Sequence, residues 1–302
     1  MNDSSQAVKI NRKYPYLVAG FLAVIYTFNF LDRQILAILQ EPIRNDLKLS
    51  DTQLGMLSGV YFALFYTVFG IPVAWLADRT NRVRIITAAC AIWSFFTAAC
   101  GFAGNYVQLA LCRVGVATGE AGGSPPSYSL IADYFPPQKR GTGLAIYSLG
   151  VPIGSLIGSA LGGWVAANYG WRTAFIAVGT PGMLLALFAW LFIREPKRGG
   201  LDVLAEGAHA HEPSPPMVTA VATFFRNKTL VLTALSSGCS AFVGYAMLNW
   251  APSFLMRVKH MTLTEIAVYY SLVMGISMAF GTFGSGWIVD RLGRRNKRAY
   301  AL

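Results

Sequence analysis

Charged side chains are scarce in this sequence, 13% of 302 residues, with acids scarcer than bases at 14 against 25. An average soluble domain is about a quarter charged, so an ordinary water-facing surface is excluded. Histidine is scarcer still. His209, His211 and His260 all fall in predicted loops, and no HExxH, Ser-His pair or pair of close aspartates lies within an apolar run, which leaves an intramembrane hydrolase without its catalytic set. The HAH at 209–211 has no third ligand nearby, so no metal is expected, and no cofactor either. The four cysteines, Cys90, Cys100, Cys112 and Cys239, show no CxxC or metal spacing. That excludes a disulfide framework and makes them small apolar packers. A cleavable signal is also missing, because the first apolar run is too long and has no small-residue cleavage site.

What is present is apolar length. Hydrophobic residues make up 54% of the chain, and the mean hydropathy is +0.46. Runs of about 20 residues, enough to cross roughly 30 Å of hydrocarbon, occur near 16–39, 53–76, 85–104, 107–132, 142–167, 173–193, 229–254 and 266–289. The fold class expected is an all-α polytopic membrane protein. Basic residues concentrate in alternate loops, at Arg79, Arg82, Arg84, Lys139, Arg140, Arg194, Lys197 and Arg198 among others. The opposite side holds only Arg44, Lys48, Arg172, Arg257 and Lys259. The positive-inside rule therefore places the N-terminus in the cytoplasm of a cell whose inner (plasma) membrane the chain crosses repeatedly. The net charge of +11 reads as topology and contact with anionic lipid of the bilayer, not as nucleic-acid binding.

The one long polar segment, 194–228, contains REPKRGG and HAHEPSPP and reads as a cytoplasmic linker. It divides a six-helix bundle (1–193) from a partial second bundle (229–302). Across it AWLADRTNRVR, from Ala74, is echoed by GWIVDRLGRRN, from Gly286, each after the second span of its block. Repeats in the same orientation are a transporter signature. Both copies resemble the loop between helices two and three of the major facilitator superfamily, Gly-x-x-x-Asp-Arg-x-Gly-Arg-Arg, although Ala74 and Asn81 stand where that pattern has glycine. FNFLDR, RVGVATGEAGGSPPS, LGVPIGSLIG and YGWRTAFIAVGTPG narrow the resemblance to the Spinster family, whose animal members move sphingosine-1-phosphate and lysophospholipids. The resemblance implies a major facilitator fold with gating roles at the cytoplasmic side for Asp78, Arg79, Arg82, Asp290, Arg291 and Arg294. The plainer reading of these residues is a helix stop with topogenic bases. Twelve helices are also implied. A truncated product, or one needing another polypeptide, is thus the expectation for a sequence that stops after the eighth.

Asp32, Arg33, Arg113 and Glu120 stand well inside predicted spans, where a lipid-facing charge costs about 2.5–3.5 kcal/mol on insertion scales. They should face a protein interior or wet cavity. At about 1.5 Å rise per residue, Arg33 and Arg113 lie at matching depth. Asp32 and Arg33 point about 100° apart on one helix, so each requires a cross-helix partner. Arg113 is the candidate for Asp32, and Arg33 can reach toward Glu120, which is roughly 20 Å deep by the same rise. Either these are permanent structural ion pairs, or they form a proton-coupling site lining the cavity.

Gly150, Gly154, Gly158 and Gly162 recur every fourth residue on the fifth span, which lets another backbone approach. Packing explains the row. The alternative reading is a hinge, with Pro152 loosening the helix. Pro125 and Pro126, just past Glu120, predict a kink in the fourth span. The function expected is a secondary transporter working by alternating access, proton-coupled, for a small amphipathic or lipid-like solute. An organic-acid/proton symporter and a non-transporting receptor are the alternatives, and the oligomeric state is left open.

Overall fold

The computed structural model describes residues 13–201 and 217–293. Among these, seven helices are long and apolar enough to cross a membrane. Helix α1 (Tyr14–Leu47) runs past the predicted end near 39. Its last turns carry Glu41, Arg44 and Asp46, yet these charges do not stop it because each finds a partner. Glu41 meets Arg257 at 2.7 Å and Asp46 meets Arg172 at 2.6 Å. The helix ends at Lys48, whose φ of 54° is left-handed.

Helix α2 (Asp51–Ala77) opens with a capping box in which Ser50 and Gln53 satisfy each other's backbone N–H groups, and it passes through a π turn at Met56–Val60. Helices α3 (Arg82–Cys100) and α4 (Tyr106–Glu120) start at Asn81 and Asn105, whose side chains accept from the third residue on. The predicted fourth span is in fact two helices, α4 and α5 (Ser124–Tyr134), separated by a turn at Ala121–Gly123. Pro125 and Pro126 do not interrupt a helix; they begin one, in the first turn, where the missing N–H has no intrahelical acceptor anyway. Helices α6 (Pro137–Tyr169) and α7 (Trp171–Phe192) follow, joined through Gly170 at φ 85°.

The stretch read as a linker contains a short helix, α8 (Met217–Arg226), with Val218 and Phe225 exposed on one face. Asn227 then caps α9 (Lys228–Val258). The last helix, α10, covers 263–293 as a first turn at Leu263–Glu265, a π turn at Ile266–Tyr270 and then Ser271–Gly293. It repeats α2 in detail. Thr262 and Glu265 form a capping box like that of Ser50 and Gln53, a π turn follows, and Asp290 lies as far from its cap as Asp78 does.

Helix α6 meets α1 almost backbone to backbone. A Cβ placed on Gly150 would lie 2.7 Å from the Ala23 carbonyl oxygen, and one on Gly158 would lie 2.8 Å from Leu31 Cα. One on Gly154 would collide with the Thr27 carbonyl. The fourfold spacing thus forms a seam with α1 itself, the helix that carries Asp32 and Arg33. An irregularity at Leu149 precedes Pro152, whose nitrogen has no hydrogen to donate. On another face α6 receives α10, with Gly163 against Ala267 and Gly275 against Leu156. Gly158→Val should lower stability by about 2 kcal/mol or more, because overpacking against backbone has no side chain to displace. Thermal unfolding in detergent checks this, with Gly141→Ala, which has open space around it, expected to leave the midpoint unchanged.

Two apolar cores sit toward opposite ends of the bundle. One gathers Leu36, Leu39, Ile43, Leu109, Trp171 and Phe175 near the Asp46 end. The other gathers Leu22, Ile86, Trp93, Leu130, Phe135 and Tyr147 toward the Asp78 end. Asp32, Arg33, Arg113 and Glu120 lie between them.

Candidate functional site

Arg33 Nε donates to Glu120 Oε2 at 2.7 Å. Its NH1 donates to the Tyr245 hydroxyl on α9, also at 2.7 Å. The guanidinium lies over the rings of Phe30, Phe62 and Tyr66, 4.9 to 5.2 Å from their centroids, an arrangement that holds a cation by ring quadrupoles while leaving its edges for hydrogen bonds. Arg113 NH1 stands 3.4 Å from Asp32 Oδ1, a long contact for a charged pair. Asp32 Oδ2 accepts from Thr97 on α3. The structure therefore brings all four intramembrane charges together, each of the two α1 neighbours facing a different α4 residue.

Asp32, Arg113 and Glu120 are buried, at 1%, 2% and 1% exposure. Glu120 Oε1 and Arg113 Nε have no hydrogen-bond partner among the described residues. A buried network left partly unsatisfied is costly as a purely structural device. Local sequence sets the geometry. A Cβ on Gly119 would lie 2.6 Å from the Trp93 nitrogen, so α3 and α4 touch beside Glu120. Glu120 is also the last residue of α4, and the prolines of α5 leave the carbonyls of Ala121 and Gly122 without their helical donors.

At the Asp78 end the predicted residues do not form one cluster. Asp78 caps α2 and is exposed, and its carboxylate has no partner among the described residues. The carbonyls of Ala77, Asp78 and Thr80 accept instead from Arg198. Arg79 lies over the Trp75 ring at 4.0 Å. Arg82, the first residue of α3, is buried at 1% exposure and holds Glu195 at 2.6 Å, Ser129 at 2.8 Å, and Asp133. Asp290 and Arg291 fall on the last turns of α10, and Arg294 lies outside the described residues, as do His209 and His211. His260 is an exposed turn residue at φ 54°.

The opposite end is tied across the repeat. Arg257 of α9 donates to both oxygens of Asp51 at 2.9 and 2.7 Å and to Glu41 at 2.8 Å. Ser253 donates to Gln40 at 3.2 Å. The first half of α9, away from Arg257, is exposed.

Against known proteins, the pattern of the Major Facilitator Superfamily matches residues 22–302. The chain belongs to that superfamily. Facilitators are multi-pass membrane transporters rather than enzymes. An MFS-type efflux pump of Mycolicibacterium smegmatis is 32% identical over 98% of this chain and 67% of its own length. Protein spinster homolog 1 of Rattus norvegicus is 29% identical over 83% of the chain and 47% of its own. A crystal structure of a bacterial homolog to the human lysosomal transporter Spinster, inward-facing and occupied, is 38% identical with a TM-score of 0.79, covering 94% of this chain and 63% of that one. The likeness to Spinster proteins thus holds in sequence and in structure, and the chain spans about two thirds of the length of that solved facilitator.

Sequence reasoning missed Thr97, Asp133, Glu195 and the lock made by Glu41, Asp51 and Arg257. The one available signal for Tyr245 was its position on the first span of the second repeat, the span that must move against Arg33 if the halves rock.

Proposed function

We propose that this chain forms the proton-coupled core of a secondary transporter that works by alternating access on a small amphipathic, lipid-like solute. The observation that carries this reading is the sharing of Arg33 between Glu120 of the first repeat and Tyr245 of the second. A proton arriving on Glu120 removes the charge that holds Arg33. The hold on Tyr245 changes with it, and protonation is coupled to the contact between halves. Asp32 and Arg113 act as the second pair. With the N-terminus in the cytoplasm, the Arg257 end is the outer gate, closed, and Asp78 lies on the cytoplasmic side.

The formal charges of Asp32, Arg33, Arg113 and Glu120 cancel. No surplus cation is left for an organic acid, which favours an amphipathic solute over a sugar acid. The spinster homolog among its relatives supports the same choice.

Uptake of a labelled lysophospholipid into proteoliposomes tests the proposal. Glu120→Gln and Asp32→Asn are expected to lose flux driven by an imposed pH gradient by tenfold or more, on the order of one lost charge-assisted interaction, and to keep gradient-independent exchange. Unchanged gradient dependence in both variants would return the four charges to a structural network.

A further inference from the structure

Thr97 is buried at 1% exposure on α3. Its hydroxyl oxygen is within hydrogen-bond reach of two acceptors, Asp32 Oδ2 and the Trp93 carbonyl oxygen one turn earlier, at 2.8 Å. A hydroxyl has one proton to give. It cannot serve both acceptors at once. Which one it serves is decided by the state of Asp32. An ionised carboxylate offers only lone pairs, so the hydroxyl must point at Oδ2. A protonated carboxyl carries its own O–H, which can donate to Thr97 Oγ, and the threonine proton then turns onto the Trp93 carbonyl, the ordinary resting place of a threonine in a membrane helix.

We propose that Thr97 is a positioning residue for proton exchange at Asp32, its single hydroxyl proton alternating between Asp32 Oδ2 and the Trp93 carbonyl as the carboxyl loses and gains a proton. The inference rests on the proton-coupled reading of Asp32 given above. The exchange balances simply: water supplies one proton to Oδ2 and receives it back, and the threonine O–H bond only rotates. Every buried polar atom of the pair stays satisfied in both states, which matters because Arg113, at 3.4 Å, is a distant partner for the other oxygen. The charged and titratable groups around Asp32 are Arg33 on its own helix, Cys100 on α3, and Arg113 and Glu120 on α4. Helix α6 meets this stretch of α1 with glycine and α7 meets it with apolar side chains.

The test uses the full chain in lipid nanodiscs, titrated with pH and followed by infrared difference spectroscopy, with Asp32→Asn identifying the carboxylic-acid band. Thr97→Val keeps the shape and removes the hydroxyl. The midpoint at which the Asp32 band disappears is expected to rise by about one pH unit, the order expected when a carboxylate loses one hydrogen bond. The band position should shift as well, and Thr97→Ser should restore both. If Thr97→Val does not fold, Thr97→Ala asks the same question. A midpoint and band position unchanged by loss of the hydroxyl would overturn the proposal and leave Thr97 as a bond within its own helix. An Asp32 band that does not titrate in the parent chain would instead remove the proton-exchange reading of Asp32, and this proposal with it.

Discussion

Replacing Arg82 by alanine is expected to destabilise the protein by about 3 kcal/mol, the scale seen when one member of a buried ion network is removed. The side chain is 1% exposed and its fork reaches Glu195 and Asp133 together. The carboxylates have further ties, since Glu195 also accepts from the Val83 N–H at 3.1 Å and Asp133 from the Gly199 N–H at 3.0 Å. Removal of the guanidinium therefore strands two negative charges that the backbone keeps in place. Most of the loss comes from those stranded charges. Adding Asp133→Asn and Glu195→Gln to Arg82→Ala should consequently recover part of it, whereas Arg82→Lys, a point charge without the fork, should fall between parent and alanine. Thermal unfolding of the four proteins in one detergent decides the matter, and a parental midpoint for Arg82→Ala would show that the cluster contributes nothing.

Arg257→Ala should act on conformation more than on stability. Its partners Glu41 and Asp51 belong to the first repeat and Arg257 to the second, so the contact exists only while that end is shut. Arg257 and Asp51 are partly exposed, their side chains at 31% and 51%, and a pair so open to solvent is weak alone. A two-state equilibrium nevertheless responds exponentially to small differences, and losing contacts to two carboxylates should raise the population open at that end several-fold. Spin labels at Asn45→Cys and Lys259→Cys, both exposed, on a background with the native thiols replaced, report the separation of α1 and α9. A distance distribution identical with and without Arg257 would remove it as a lock.

Much of the site was legible because charge is rare in apolar helices. Asp32, Arg33, Arg113 and Glu120 stand out by cost alone, and their pairing follows from helix rise and the angle between neighbours. The fold was legible from the same apolar runs and from the repeated Asp-Arg loop. Thr97 was not, because a hydroxyl costs little in a membrane helix and threonine usually bonds its own turn. Asp133 and Glu195 look like any acids near a helix end until Arg82 is seen folded inward between them. The extension of α1 to Leu47 was hidden for a related reason: Glu41 and Asp46 end an apolar run in sequence, but pairing with arginines far along the chain lets the helix continue.

The π turns of α2 and α10 have a consequence for how those helices meet their surroundings. One residue added to a helical turn advances everything after it by about 100°. Around each π turn the angular count of the helix slips once. The stripe that begins beneath the capping box is therefore not the stripe that arrives at Asp78 or at Asp290. Both repeats carry this slip near the same place, so the two helices keep matching phase with each other while each is out of phase with itself, and a helical wheel drawn from either cap assigns the wrong azimuth to the residues that lead to the Asp-Arg loop.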